Sequence, residues 1–232
     1  MTTTLPMCHD ASRRRFLLSA MVPAMTCLLP HSAFADEPPL SPVAGGRSIT
    51  TAVMQKGDLI LSTTSAATVS WISAEVSSAI RTATGDGPVS HSAIYAGDGQ
   101  ILDARPISGV GLSSVDDFLS SASFAVAFRF PHISADQQQM IVDFAWAQLG
   151  SAYDYVGAVS NARFFFGDIA HVLVALGVSK NKFYCSKLVL DSYGNSGANL
   201  VTINPVWQSP NDLAALSWFG ELGYVGHLKY SG

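Results

Sequence analysis

Val89-Ser90-His91-Ser92-Ala93-Ile94-Tyr95-Ala96-Gly97-Asp98-Gly99-Gln100-Ile101-Leu102-Asp103-Ala104-Arg105 is the stretch on which the fold turns. Residues 89–95 read as a β-strand. Gly97-Asp98-Gly99 suits the left-handed backbone of a tight hairpin, and residues 100–104 return as a second strand. In a hairpin, positions equidistant from the turn lie side by side, so His91 falls opposite a residue near 104–106. Asp103 is then a neighbour one pair away on the same face and within reach of the imidazole. The sequence leaves the register itself open.

Working outward, Gly57-Asp58 forms a turn into the strand Leu59-Ile60-Leu61. Val69, Ile72, Val76 and Ile80 recur at helical spacing, and Gly85-Asp86-Gly87-Pro88 ends that helix. Phe124, Val126, Phe128 and Phe130 alternate along a strand over residues 123–130. Ser134-Ala135-Asp136-Gln137 is a capping sequence for a helix whose apolar face carries Ile141, Phe144, Ala145 and Leu149, closed by Gly150. Residues 156–179 are apolar but contain Asn161, Arg163, Asp168 and His171, too polar for a membrane span, and read as one or two helices. Cys185 opens a helix through Tyr193, stopped by Gly194. A capped helix follows Ser209-Pro210, and a last strand covers Tyr224 to Leu228. No repeat at a period of 20–50 residues is visible. Strands and helices are segregated rather than strictly alternating, so the expected class is α+β, not a doubly wound sheet.

The N-terminus reads as an address. Ser12-Arg13-Arg14-Arg15-Phe16-Leu17-Leu18 places arginines directly before an apolar run to Pro30, the length of a signal h-region and short for a membrane span. Ala33-Phe34-Ala35 supplies a small-x-small cleavage site, and the pattern resembles a twin-arginine export signal. The expected organisation is a signal over 1–35, a Pro-rich linker over 36–50 and one domain over 51–232, periplasmic or secreted, with no integral span after signal removal. An uncleaved membrane anchor is the competing reading. Cys27 follows Met25-Thr26, a poor lipoprotein cleavage site.

The 232 residues carry 13 Lys+Arg against 17 Asp+Glu, a net charge of −4, and no basic stretch lies beyond the first 15 residues. A phosphate-backbone partner is therefore not expected. No His-x-x-x-His, Cys-x-x-Cys, Gly-x-Gly-x-x-Gly or phosphate loop occurs, so neither metal, cofactor nor nucleotide is expected.

Cleavage after Ala35 removes Cys8 and Cys27 and leaves Cys185 as the single thiol of the mature chain. One Cys in an exported protein makes no internal disulfide, and it is either a buried inert residue or a nucleophile. Its place at a helix start favours the thiolate through unpaired backbone N–H groups and the helix dipole. The same N–H groups can hold an oxyanion. A thiolate needs a base and the base an orienting acceptor, roles that His91 and Asp103 can fill. Singly, each has a plain structural reading: a strand His is most often a hydrogen-bonded structural residue, and Asp103 can simply begin the turn before Arg105-Pro106. His132, before a helix cap, reads as solvated, His171 as a core histidine, and His227 lies near the C-terminus.

Gly57-Asp58-Leu59-Ile60, Ser90-His91-Ser92-Ala93-Ile94-Tyr95, Ala152-Tyr153-Asp154, Tyr184-Cys185-Ser186-x-Leu188-Val189 and Ser209-Pro210-x-Asp212-Leu213 occur in that order. The set resembles the circularly permuted NlpC-type, papain-like hydrolases of the YiiX/YebB group. In that group the His strand precedes the Cys helix, an order shared with lecithin:retinol acyltransferase-like proteins. The resemblance covers residues 55–225. It implies a small antiparallel sheet or barrel packed against helices, with Cys185 as nucleophile, His91 as general base and acid, and Asp103 orienting His91. The Cys185 backbone N–H contributes to an oxyanion hole. Tyr184 is a candidate cleft wall, or a plain aromatic core residue. The position after Ser186, commonly Glu in that group, is Lys187 here, and the third triad position is often Glu or His rather than Asp.

Three functions are compatible with these residues. The leading one is an exported cysteine peptidase or amidase acting on a peptide or similar amide, cell-wall peptides included. The second is an acyl-lipid hydrolase or acyltransferase, suggested by the apolar 156–179 segment. The third is a non-catalytic binding module on the same fold.

Overall fold

A computed structural model of the chain describes residues 47–65, 89–154, 158, 182–198, 200, 209–216 and 222–230. The expected signal, most of the linker and the helices at 69–80 and within 156–179 lie outside the described residues.

Among the described residues, six strands form one antiparallel sheet: β1 (Leu59–Thr64), β2 (His91–Gly97), β3 (Gln100–Arg105), β4 (Gly109–Ser114), β5 (Ala122–Arg129) and β8 (Gly223–Lys229), in the order β4-β3-β2-β1-β5-β8. Two short strands, β6 (Ala152–Tyr153) and β7 (Lys182–Phe183), pair in parallel apart from it. The helices are α1 (Val115–Ser121), α2 (Ala135–Ala147), α3 (Cys185–Asn195) and α4 (Pro210–Ala215). The architecture is α+β, as the segregated pattern implies.

Period-2 alternation decides what each sheet face covers. Leu59, Leu61, Ile94, Leu102, Val126 and Phe128 point to one side and pack with Ile141 and Ala145 of α2 and with Leu188, Val189 and Tyr193 of α3. Their neighbours Ile60, Ala93, Tyr95, Ile101, Ala125 and Ala127 point the other way, onto Val115 and Phe118 of α1. The sheet is thus sandwiched between helices, and central strands β1 and β2 are buried on both faces.

The expected strands and the helices at 134, 185 and 209 are present to within a few residues. Ser134 and Gln137 make the full capping box at the head of α2, and Ser209 and Asp212 do so at α4. Leu149, expected on the buried face of α2, lies past its end and is 39% exposed, while Val142 takes a core position. Two elements go beyond the sequence reading. β4 carries Gly109 and Gly111, poor strand residues, and is held by its ladder to β3. Gly109 has φ +73°, and a Cβ there would meet the Ser151 carbonyl oxygen at 2.2 Å, so only glycine fits where the 150–152 segment crosses β4. α1 spans seven residues, too short for a periodic signature, and is started by its Ser114 cap with Asp116 and Asp117 in the first turn.

Residues 47–49, which composition assigns to the linker, are hydrogen-bonded to β8. The Ile49 N–H donates to the His227 carbonyl at 2.9 Å, and the His227 N–H donates to the Arg47 carbonyl at 2.8 Å.

Candidate active site

The hairpin register answers the question left open by the sequence. Ala93 pairs with Asp103, Ile94 with Leu102 and Tyr95 with Ile101. Continuing that ladder places Arg105 across from His91, with Asp103 one pair away on the same face. His91 Nε2 and Asp103 Oδ2 are 2.8 Å apart. Asp103 is 2% exposed and His91 12%, so the pair is held away from water. The chain leading into β2 is itself clamped: Asn211 of α4 donates its side-chain N–H to the Val89 carbonyl at 2.8 Å, and its Oδ1 accepts from the Val89 N–H at 3.2 Å. The first turn of α4 thus holds the chain two residues before His91.

Cys185 is the first residue of α3 and is 1% exposed. The helix begins with the Leu188 N–H donating to the Tyr184 carbonyl, and the N–H groups of its first turn have no acceptor within the helix. Leu188, Val189, Ser192 and Tyr193 bury the stripe behind Cys185. The Tyr193 hydroxyl hydrogen-bonds the Gly57 carbonyl across the core and anchors the C-terminal end of α3. Tyr184 is buried, 9% exposed, and packs with the core cluster.

Cys185 and His91 lie close enough for each to shift the protonation of the other. Burial works against a charged imidazole, yet the hydrogen bonds to Asp103 and Cys185 and their negative charges outweigh it and raise His91 to about 9. Burial likewise opposes the thiolate. The hydrogen bond and positive charge of His91, with hydrogen bonds from the Ser92 backbone and hydroxyl, outweigh it and pull the Cys185 thiol below its ordinary range. Asp103 is held low against the desolvation of its buried site by His91 and Arg105. Both shifts run toward a thiolate–imidazolium pair. With Nε2 taken by Asp103, Nδ1 is the nitrogen left for the sulfur.

All three candidate residues come together. Several neighbours escaped the sequence reading. Ser92 supports the thiolate, and its hydroxyl lies 3.5 Å from that of Ser186, which is 4.0 Å from the Cys185 sulfur. Arg105 Nε lies 2.5 Å from Asp103 Oδ2, and the His91 ring packs 5.9 Å from Phe118. Only Arg105 had a signal, its hairpin position opposite His91. His132 is exposed, whereas His227 is fully buried, bonded through Nδ1 to the Tyr224 hydroxyl at 2.6 Å. Among the described residues no cluster of His, Cys, Asp and Glu has the makings of a metal site, and no helix is long and apolar enough to cross a membrane.

No solved structure gives a significant match. The probable lipoprotein peptidase YaeF of Escherichia coli (strain K12) is 28% identical over 171 residues, covering 61% of this chain. The chain spans 62% of the length of that relative. The family described as permuted papain-like amidase enzymes, YaeF/YiiX, family C92, matches residues 53–210, a span that runs from before β1 to the head of α4 and includes His91, Asp103 and Cys185. With its six-stranded antiparallel sheet, its histidine strand before its cysteine helix and that match over most of its length, the chain belongs to the permuted papain-like amidases.

Proposed function

We propose that this protein is an exported cysteine hydrolase that cleaves an amide bond through an acyl-thioester on Cys185. The observation that carries the reading is a buried thiol at a helix head whose acidity is raised by an imidazole that a buried carboxylate holds through Nε2 at 2.8 Å. Papain-like amidase membership supports it at the level of reaction class.

In the proposed cycle the Cys185 thiolate attacks the amide carbonyl carbon, a C–S bond forms, and negative charge moves to the carbonyl oxygen. In this scheme the Cys185 backbone N–H at the head of α3 stabilises that charge. His91 then gives its Nδ1 proton to the leaving nitrogen as the C–N bond breaks, and the amine departs. Neutral His91 next takes a proton from water, whose oxygen attacks the thioester and releases the carboxylic acid and the thiolate. Asp103 keeps the ring oriented through both halves. No step requires a cofactor. The substrate proposed is a peptide or peptide-like amide, cell-wall peptides among them. Export rests on the Arg13-Arg14-Arg15-Phe16-Leu17 motif before an apolar run and on a relative named as a probable lipoprotein.

The test is incubation with a panel of peptide amides, peptidoglycan fragments and acyl lipids, with Cys185→Ala as control. Amine release from an amide, accompanied by an acyl adduct on the Cys185 peptide in mass spectra, is the expected result. Fatty acid release from the lipids alone transfers the reading to acyl-lipid chemistry. No turnover of any class, with an unreactive thiol, leaves a binding module.

A further inference from the structure

Arg105 ends β3, and its guanidinium makes three contacts at once. Nε meets Asp103 Oδ2 at 2.5 Å, Nη2 donates to the Ser113 hydroxyl of β4 at 3.2 Å, and the group lies over the Phe118 ring of α1 at 5.6 Å. The same Asp103 oxygen receives His91, and the same Phe118 ring packs against His91. One carboxylate oxygen and one aromatic ring are therefore shared between Arg105 and His91.

An arginine at a hairpin end is ordinarily a surface ion pair of little consequence. Here the carboxylate is buried, at 2% exposure, while only the arginine, at 32%, reaches the surface. A buried carboxylate held through one oxygen by His91 alone is free to turn about its side-chain torsions. The fork on Arg105 removes that freedom, because Asp103 and Ser113 fix two nitrogens of one planar group. We propose that Arg105 is a positioning residue for this site, holding Asp103 and Ser113 together so that the carboxylate aims the His91 ring at Cys185. The proposal rests on the Cys185–His91 reading and adds to it a fourth member that touches neither substrate nor sulfur.

Among the described residues, the charged or titratable groups set around His91 are Asp103 and Arg105 from β3 and Cys185 from α3. α1 presents Phe118, and β1 places Ser62 across the ladder from His91. Losing Arg105 loosens the carboxylate that steadies the imidazolium, which makes the thiolate harder to form. Losing the cation by itself would leave the full Asp103 charge on His91 and favour the pair, so an upward shift of the limb marks lost positioning rather than lost charge.

The experiment is the pH dependence of iodoacetamide alkylation of the full chain, read on the Cys185 peptide by mass spectrometry so that Cys8 and Cys27 do not contribute. Thermal unfolding of each variant is recorded alongside. Wild-type alkylation is expected to persist well below the ordinary thiol range. Arg105→Met is expected to move the acidic limb up by about one pH unit, a roughly tenfold slower reaction on that limb. Arg105→Lys is expected to follow Arg105→Met, since a single ammonium cannot hold both partners. Ser113→Ala is expected to shift the limb the same way by less, and it decides the matter if Arg105→Met does not fold. Superimposable profiles for wild type and these variants overturn the proposal, as does full rescue by lysine, which reduces Arg105 to a plain charge. A wild-type Cys185 that alkylates like a free thiol overturns the pair itself and this proposal with it, an outcome visible before any Arg105 variant is made.

Discussion

At the residue scale the chemistry depends on a buried sulfur, and burial alone makes a thiol less acidic, not more. What reverses the direction is a cation delivered by β2 and hydrogen bonds from Ser92. Replacing Cys185 with Ala or Ser removes the nucleophile, and turnover of an amide substrate is expected to fall by about 10⁴-fold or more, measured against the wild-type rate at equal protein. The imidazolium that protonates the leaving group is lost as pH rises through about 9, so the basic limb of kcat/KM is expected there. Asp103 raises His91 through its hydrogen bond and charge. Asp103→Asn removes the charge, and the basic limb is expected to move down, toward neutrality. A limb that stays in place or moves up in a pH–rate profile contradicts the assigned role.

At the scale of elements, the site is a meeting of a strand start and a helix head, each pinned by something remote in sequence. Asn211 clamps the entry to β2, and Tyr193 ties α3 to the Gly57 turn. Tyr193→Phe leaves the Gly57 carbonyl without that donor inside the core. The expected cost is about 1–2 kcal/mol in denaturant unfolding, with the alkylation profile of Cys185 retained if the helix head keeps its place. The hairpin was legible because period-2 alternation and a Gly-Asp-Gly turn are local signals. β4 and α1 were not, since a glycine-bearing edge strand and a two-turn helix owe their conformation to neighbours.

At the scale of the whole molecule, the sheet divides the core into two layers, and residues 47–49 close its far edge along β8. Gly226 makes that closure possible. Its φ is +152°, and a Cβ there would sit 2.4 Å from Ile49 Cγ2 and 3.0 Å from the Arg47 carbonyl. Gly226→Ala is expected to cost about 1–3 kcal/mol, as overpacking does, and to release the 47–49 segment. Faster tryptic cleavage after Arg47 and a lowered Tm are the measurements. Folding stability also carries the mark of the site. His91 is raised above its ordinary value of 6.5, so its stabilising contribution is present in full below about that pH and is lost as pH rises through about 9. A Tm that declines across that window in the wild type and does so less in His91→Ala is the expected pattern.

The sequence by itself determined the α+β class, the hairpin that carries His91 and Asp103, the helix that Cys185 heads and the resemblance to permuted papain-like hydrolases. Each of these follows from short-range patterns: strand alternation, turn glycines, helix caps and the order of motifs. Only the tertiary structure decided that Tyr184 packs into the core, that Ser92, Arg105 and Asn211 serve the same small region, and that residues 47–49 belong to the sheet. Those relations join residues up to about 180 positions apart. No local periodicity encodes them, because they are created by packing two core layers around one sheet.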